Sequence, residues 1–320
     1  MIATSAEPWS PIVAFGSHGS ADVAITLPLL RGRRDLGERS SGNRRGFAID
    51  AVSRMAGFAA SIRYVGSVLF TDREALRNDA YGSTDALRTR MSIYRFQEPR
   101  RDFRPLVTAF LDDAPGLVVD AGCGVGGYTR ALRAAGRDVV AVDLSRAMAV
   151  AAAPRSAIAD ITALPFANAA FGAAIALHML YHVPDPRAAL RELRRVLRPG
   201  GTLVLSTNAL GDKAELRELH AEAAHAAGEE LPETGPADRF HLDDAELAVG
   251  ELFESVRRHD MLSSVRVPEP EPVVAFIDST RSWYGDSSAV LPQVRRMVTE
   301  AIERDGAFTF RTHSGFLVCR

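Results

Sequence analysis

The stretch VVDAGCGVGGYTRAL, Val118–Leu132, decides the fold of this 320-residue chain. A short apolar run comes first, a cluster of glycines follows, and a helix-forming sequence comes last. A loop that leaves a strand and enters a helix presents backbone N–H groups and the positive end of the helix dipole to an anion. Glycines allow positive φ and close approach of a ligand to the backbone. The stretch therefore predicts a nucleotide-binding loop in an α/β domain.

Two nucleotide-loop patterns overlap in this loop. Gly122, Gly124 and Gly127 satisfy G-x-G-x-x-G, which is typical of a dinucleotide site, and Asp143, about 20 residues on, is placed to bind a ribose. The same loop reads D-x-G-x-G-x-G when it is counted from Asp120. The loop alone therefore does not decide between the two patterns.

The sequence after the loop alternates between strand-like and helix-like segments. Five apolar runs predict strands: GLVVDAG, DVVAVDLS, SAIAD, FGAAIALHML and TLVLSTN. Asp185 and Pro186 predict the start of one intervening helix, and Pro199-Gly200-Gly201 predicts its end. Such alternation predicts a parallel sheet that is covered by helices on both faces.

The C-terminal third departs from this alternation. Val256–Met261 and Ser264–Val267 are strand-like, and helices are predicted around Val273–Trp283 and Leu291–Asp305. The last residues, AFTFRTHSGFLVCR, contain two alternating runs about a Ser-Gly pair, which predicts a β-hairpin. An antiparallel end on the parallel sheet is therefore expected.

Three regions are predicted along the chain. Residues 1–71 lack an apolar period and are expected to be a disordered or loosely packed extension, and its arginine cluster, Arg31–Arg45, reads as a solvated tail or as an RNA-binding arm. Residues 72–110 are predicted to form a helical lid. Residues 111–320 are predicted to form the main domain, with a helical insertion at about 211–250.

Composition excludes several classes of protein. A hydrophobic content of 47%, a charged content of 24% and a net charge of −2 are typical of soluble globular proteins and do not favour nucleic acid as a partner. No apolar run is long enough to span a membrane, no secretory signal is evident, and two distant cysteines indicate neither a disulfide scaffold nor a metal site. We expect a cytoplasmic protein, a monomer or weak homodimer, and the arginine bias favours a bacterial source.

The segment ADITALPFANAAFGAAIALHMLYHVPDPRAALRELRRVLRPGGTLVLST, together with D-x-G-x-G-x-G, resembles the class I S-adenosylmethionine-dependent methyltransferases. The resemblance covers roughly Leu117 to Asn208. It implies a seven-stranded Rossmann-like sheet with helices on both faces, an antiparallel C-terminal hairpin and an N-terminal helical lid. It also implies S-adenosylmethionine as the cofactor and a small molecule as the methyl acceptor.

The resemblance also implies roles for residues of the loop and the strand ends. The backbone of Gly122, Gly124 and Gly126 would lie against the methionine portion, and Asp143 would accept from both ribose hydroxyls. Asp120 is expected to anchor the loop or to contact the amino group of the ligand, and Asp160 would accept from the adenine amino group. Ile161 would offer a backbone contact to the ring, and Leu144 and Met148 are expected to pack on adenine.

Catalytic groups are harder to find. His178, at the end of the fourth strand, is expected to line the cleft and is the first candidate for a base, with His241 next. His178 and His182 have metal-like spacing, but no third ligand follows, so no metal is predicted. The acceptor pocket is expected to use aromatic residues of the lid, the insertion and the segment RSWYG, namely Tyr94, Phe96, Phe240, Trp283 and Tyr284.

Methyl transfer to a small molecule is the predicted function, driven mainly by positioning, because the sulfonium is already an activated donor. This prediction leaves the acceptor and its reacting atom (oxygen, nitrogen or carbon) open. Three alternatives stay open: a non-catalytic or regulatory protein of the same fold, an NAD(P)-dependent oxidoreductase that uses G-x-G-x-x-G, and an RNA methyltransferase that uses Arg31–Arg45.

Overall fold

The computed structural model describes residues 70–232 and 235–320, and residues 1–69 and 233–234 lie outside the described residues. The predictions for the N-terminal extension and for the cluster Arg31–Arg45 therefore lie outside the described residues. The strands are β1 (Gln97–Glu98), β2 (Val118–Ala121), β3 (Val139–Asp143), β4 (Ser156–Ile158), β5 (Phe171–Leu177), β6 (Leu197–Asn208), β7 (Val256–Val267) and β8 (Phe308–Cys319).

The helices begin before the sheet and continue between its strands. They are α1 (Arg73–Ala75), α2 (Asp85–Ser92), α3 (Arg104–Phe110), α4 (Gly127–Ala134), α5 (Arg146–Ala151), α6 (Pro186–Val196), α7 (Ala214–Ala226), α8 (Leu242–Gly250), α9 (Glu271–Asp278), α10 (Arg281–Tyr284) and α11 (Leu291–Asp305). A π-helical turn, Leu76–Ala80, follows α1, and 3-10 turns lie at Ile93–Phe96, Leu180–His182 and Pro236–Arg239. Within the described ranges, no helix is long and apolar enough to cross a membrane.

One eight-stranded sheet organises the molecule, in the order β1-β7-β8-β6-β5-β2-β3-β4. The strands β2 to β6 run parallel to one another, whereas β8 runs antiparallel to both β6 and β7. Consecutive residues of the central strands face opposite sides: Val119 packs with α6 and α8, and Val118 packs with α3 and α4. Both faces are therefore covered, which explains why these strands are continuously apolar.

A second apolar core lies beside the sheet. Helices α7, α9 and α11 pack together with Ile93 of the 3-10 turn and with Val265, Val267 and Phe310 of the extended ends of β7 and β8. The long strands thus reach beyond the parallel part of the sheet and carry a helical layer. This layer and the segment from Phe70 to Glu98 form walls above the ends of the parallel strands.

The predicted fold class is confirmed, including the antiparallel C-terminal end, with differences in detail. The sheet has eight strands rather than seven because Gln97–Glu98 adds a two-residue edge strand to β7. The antiparallel C-terminal pair is β7 with β8, connected through helices, and Ser314-Gly315 lies inside β8 rather than at a turn. The two predicted strands within Val256–Val267 are one continuous strand.

Candidate active site

A cavity of about 1220 Å³ lies at the carboxyl ends of the parallel strands. Its floor is formed by the residues that end or follow β2, β3, β4, β5 and β6, and its walls come from the segment before β1 and from α7, α9 and α10. Ligands of open α/β sheets bind in the crevice at these strand ends. The cavity is therefore the candidate active site.

The glycine loop forms one side of this cavity. Gly122, Gly124 and Gly126 have φ values of 75°, 51° and 74°, a region that favours glycine. Gly126 lies at the N-cap of α4 in the left-handed conformation, and a Cβ there would lie 2.7 Å from the backbone Cα of Ala152. Gly127 has no positive φ, and a Cβ there would meet nothing within 4 Å. The conformation therefore requires the glycines of D-x-G-x-G-x-G and does not require the third glycine of G-x-G-x-x-G.

Asp143 ends β3 and lies opposite the glycine loop. Its Oδ2 accepts a 2.9 Å hydrogen bond from the backbone N–H of Gly124, and its Oδ1 accepts a 2.9 Å hydrogen bond from the N–H of Ser145. Burial raises the pKa of Asp143, and the backbone hydrogen bonds oppose this shift. Each carboxylate oxygen has two lone pairs, so each can accept one further hydrogen bond from a ligand that enters the cavity.

Asp120, one strand away, has a different environment. It is 3% exposed and its carboxylate accepts a short hydrogen bond from the Thr129 hydroxyl of α4. Burial raises the pKa of Asp120 to about 6, against the hydrogen bond from Thr129. Asp120 lines the cavity and connects the end of β2 to the helix that follows the loop. This contact fixes the angle at which the loop enters the helix.

The adenine end of the predicted site contains Asp160. Its Oδ1 accepts from the N–H and the hydroxyl of Thr162, and its Oδ2 forms a 2.6 Å ion pair with Arg73 of α1. The side chains of Arg73 and Asp160 are 54% and 24% exposed. Because an exposed ion pair is weak in water, a ligand amino group can compete for this carboxylate. Ile161, Leu144 and Met148 also line the cavity.

His178 follows β5 and lines the cavity as expected from its position in the sequence. Its φ is 53°, which is uncommon for a residue with a side chain, and its N–H donates to the carbonyl of Ser206. Burial, with a smaller effect of the Lys213 charge, lowers the pKa of His178 to about 4. The imidazole is therefore neutral at pH 7 and can accept a hydrogen bond from a molecule in the cavity.

The other predicted side chains divide into two groups. Tyr94, Trp283 and Tyr284 line the cavity. His241, Phe96 and Phe240 do not line it. His241 precedes α8, where its Nε2 lies 3.2 Å from Asp244 Oδ2, Phe240 packs in the core of the sheet, and Phe96 packs in the second core. The structure therefore does not bring His241 to the candidate site.

The structure adds contacts that sequence analysis missed. Tyr81 and His182 are joined by a 2.8 Å hydrogen bond between the phenol oxygen and Nε2, and His182 Nδ1 lies 3.3 Å from the carbonyl of Phe70. The hydroxyl of Ser145 donates to the carbonyl of Tyr81 at 2.7 Å. These contacts attach the segment before α2 to both β3 and β5. Their partners are 64 to 112 residues apart in sequence, so no local pattern could have indicated them.

The buried His182 predicts a dependence of stability on pH. Burial lowers the pKa of His182 to about 4, from an unfolded value near 6.5, so the unfolded chain binds more protons as the pH falls between these values. This contribution to stability is complete above about pH 6.5 and is lost as the pH falls towards 4. We expect His182→Gln to reduce the slope of unfolding free energy against pH by up to about 1.4 kcal/mol per pH unit.

Urea unfolding at pH 7, 6 and 5 measures this slope in the parent chain and the variant. His225→Gln is the matched control, because His225 is exposed on α7. An unchanged slope in His182→Gln would contradict the assigned protonation state of His182.

Comparison with known proteins agrees with the geometry. A family model described as a methyltransferase domain matches residues 119–205, which span β2 to β6. A protein named malonyl-[acyl-carrier protein] O-methyltransferase from Enterobacter lignolyticus is 32% identical over 188 residues, covering 56% of this chain and 70% of the relative. The corresponding protein of Pseudescherichia vulneris is 37% identical over 158 residues, covering 45% of this chain and 62% of the relative.

Another curated relative and a solved structure are also similar to this chain. A ubiquinone biosynthesis O-methyltransferase of Pseudomonas paraeruginosa is 35% identical, over 37% of this chain and 57% of the relative. The chain matches under two thirds of the length of the first two curated relatives, 62% and 59%. The fold is similar to that of a candidate methyltransferase of antibiotic biosynthesis from Anabaena variabilis, with a TM-score of 0.50, 19% identity and coverage of 68% of this chain and 96% of that chain.

The sequence resemblance is therefore confirmed by the match to the methyltransferase-domain model and by a relative matched over more than two thirds of its length. The glycine loop, the acidic strand ends and the cavity all lie within or beside the matched region. The chain belongs to the class I S-adenosylmethionine-dependent methyltransferase family.

Proposed function

We propose that this chain transfers the methyl group of S-adenosylmethionine to a small molecule, most simply at an oxygen. The observation that carries the proposal is the glycine loop, whose three positive φ values fall on the glycines of D-x-G-x-G-x-G and which faces Asp143 across the cavity. The three curated relatives described above are all named O-methyltransferases, which favours an oxygen acceptor.

The side chains at the strand ends fit such a cofactor. Asp143 retains lone pairs for the ribose hydroxyls, and one oxygen of Asp160 is engaged, among the described residues, only by the exposed Arg73. Gly122 and Gly124 provide a cradle without side chains, and a Cβ at Gly122 would lie 2.7 Å from the Met179 side chain. When bound, the cofactor supplies a methyl group on a sulfonium sulfur, which needs no further activation.

The protein contributes mainly orientation and exclusion of water. Holding the acceptor in line with the methyl group can contribute about 7–11 kcal/mol, whereas a general base adds about 10²–10⁴-fold. The hydrogen bond between Tyr81 and His182 holds the cavity wall against the core of the domain. This wall shields the reacting atoms from bulk solvent and gives the acceptor a fixed surface to pack against.

His178 is proposed to orient the acceptor. Its imidazole is neutral because burial lowers its pKa to about 4, so it can accept a hydrogen bond from an acceptor hydroxyl. A base with so low a pKa removes a proton inefficiently at pH 7, since general-base catalysis is best when the pKa lies near the working pH. The role of His178 is therefore chiefly positional.

Calorimetry with S-adenosylhomocysteine and, separately, with NADH tests the cofactor assignment. We expect saturable binding of S-adenosylhomocysteine and no heat from NADH. An acceptor screen followed by mass spectrometry then tests turnover, with a product heavier by one methylene group as the expected result. Binding of NADH without S-adenosylhomocysteine would overturn the proposed function, and cofactor binding without any methylated product would favour a regulatory role.

A further inference from the structure

Arg90 is a buried cation in the wall of the cavity. It lies on α2, is 8% exposed and lines the cavity. Its Nη1 donates a 2.7 Å hydrogen bond to the carbonyl of Ser279, whereas its Nη2 is buried and has no hydrogen-bond partner among the described residues. Within residues 70–232 and 235–320, no carboxylate forms an ion pair with Arg90. A buried charge without a partner of opposite charge is costly, so its burial needs a reason.

Three other cationic side chains that line the cavity form ion pairs. Arg73 pairs with Asp160, and Arg217 Nη1 lies 2.8 Å from Asp238 Oδ1. The partly buried Lys213 pairs with Asp212. Arg90 differs from these three because the described part of the chain gives it no carboxylate, and its polar neighbours there are the Ser279 carbonyl and the Tyr81 phenol.

A second unpartnered donor lies next to Arg90. The indole Nε1 of Trp283 is buried without a hydrogen-bond partner in the part of the chain that the structure describes, and Trp283 also lines the cavity. The guanidinium carbon of Arg90 lies 4.5 Å from the centre of the Trp283 ring and 5.5 Å from the centre of the Tyr81 ring. Two buried donors in contact, one of them charged, lack a common acceptor, and buried donors are normally satisfied.

We propose that Arg90 and Trp283 bind a carboxylate inside the cavity. A carboxylate supplies two acceptor oxygens, which suits one guanidinium N–H and one indole N–H, and it neutralises the buried charge. The rings of Tyr81 and Trp283 hold the guanidinium plane in place, so little side-chain freedom is lost when the carboxylate binds.

Two carboxylates can reach this position. Leu87, one turn before Arg90 on α2, would lie 3.3 Å from a Cβ at Gly124, so α2 passes beside the glycine loop, and Arg90 and the loop line the same cavity. The carboxylate therefore belongs either to the methyl acceptor or to the amino-acid end of the cofactor. Only this choice of source rests on the function proposed above, since the two unpartnered donors do not depend on it.

The first experiment separates the two sources by calorimetry. It compares S-adenosylhomocysteine with 5′-methylthioadenosine, which lacks the amino-acid carboxylate, in the parent chain, in Arg90→Met and in Arg88→Met. Arg88 is exposed on the same helix and is the matched control. If the cofactor is the source, Arg90→Met weakens the binding of S-adenosylhomocysteine about 10- to 100-fold, as expected for a lost charged hydrogen bond. The affinity for 5′-methylthioadenosine stays unchanged.

The second experiment tests acids as ligands and needs no turnover. The chain has two tryptophans, Trp9 and Trp283, so Trp9→Phe leaves Trp283 as the sole tryptophan fluorophore. Hexanoate and phenylacetate are titrated beside hexanamide and phenylacetamide. If the acceptor is the source, the acids change the emission at concentrations at least about tenfold below their amides, and Arg90→Met removes this preference whereas Arg88→Met keeps it.

Arg90→Lys serves as a control for folding, because it keeps the positive charge and loses only the planar fork of the guanidinium. The thermal unfolding midpoint of every variant shows whether that variant is folded. The proposal is overturned if acids and amides act alike in the parent chain and Arg90→Met leaves the ratio of the two nucleoside affinities unchanged. A parent chain that binds no S-adenosylhomocysteine would instead refute the proposed function, and the acid titration would still decide the carboxylate site.

Discussion

Asp143→Ala is expected to weaken binding of S-adenosylhomocysteine by at least about tenfold, and by about 100-fold if both ribose hydroxyls depend on the carboxylate. A hydrogen bond to a charged group contributes about 1.5–3 kcal/mol, and 1.4 kcal/mol corresponds to a factor of ten in affinity. The carboxylate also accepts the N–H of Gly124, so its removal loosens the loop that lies against the ligand. Both effects act in the same direction.

Calorimetry measures the affinity, and the thermal unfolding midpoint shows whether the variant is folded. Asp143→Asn keeps one carbonyl oxygen for the loop and separates the loss of charge from the loss of loop support. Asp138→Ala is the control, because Asp138 precedes β3 on the surface and pairs with Arg155. An affinity for S-adenosylhomocysteine that is equal in Asp143→Ala and Asp138→Ala would remove Asp143 from the cofactor site.

The parallel part of the sheet could be predicted because its determinants are local. Continuous apolar runs, such as Phe171–Leu177, are buried on both faces, and the helix that follows is marked by its own signals. The side chain of Asp185 accepts the N–H of Ala188, and Pro186 is the first residue of α6, as the sequence predicted. Glycines and acidic residues at strand ends then converge, because the carboxyl ends of parallel strands meet at one edge.

The prediction of a turn at Ser314-Gly315 was wrong, because Gly315 allows close packing inside a strand and does not reverse the chain. It lies in the middle of β8, where it pairs with Thr207 of β6 and Asp260 of β7. A Cβ at Gly315 would lie 2.5 Å from the Leu242 side chain of α8. A glycine inside a strand often marks such a close approach, and only the position of the neighbouring helix distinguishes it from a turn.

The acceptor side of the cavity could be predicted only in part. Tyr94, Trp283 and Tyr284 were expected because aromatic residues in the variable segments often line such pockets, and they do line it. Arg90 was not expected to line it. The guanidinium of Arg90 stacks on the ring of Trp283, which lies almost 200 positions away in sequence, and an arginine on an amphipathic helix normally faces solvent. Such residues become visible only through burial and missing hydrogen-bond partners.

Gly126→Ala is expected to lower the free energy of unfolding by about 2–5 kcal/mol and to abolish measurable cofactor binding. The φ of Gly126 is 74°, and the left-handed conformation costs a residue with a Cβ about 1–2 kcal/mol. The new Cβ would also lie 2.7 Å from the backbone of Ala152, and overpacking of this kind typically costs about 1–3 kcal/mol. Backbone cannot rotate away, so the loop must move.

Gly127→Ala, one residue along, is expected to have the opposite effect on stability. Gly127 begins α4 without a positive φ or a close neighbour, so alanine should stabilise the helix by about 0.5–1 kcal/mol and leave binding of S-adenosylhomocysteine unchanged. Urea unfolding and calorimetry on both variants measure these effects. A dinucleotide loop depends on its third glycine for close packing of helix and strand. If Gly127→Ala were harmful and Gly126→Ala tolerated, the loop would therefore be assigned to the dinucleotide pattern G-x-G-x-x-G. The expected order of the two variants follows from the backbone conformation at each position, and it distinguishes the two patterns even before an acceptor is known.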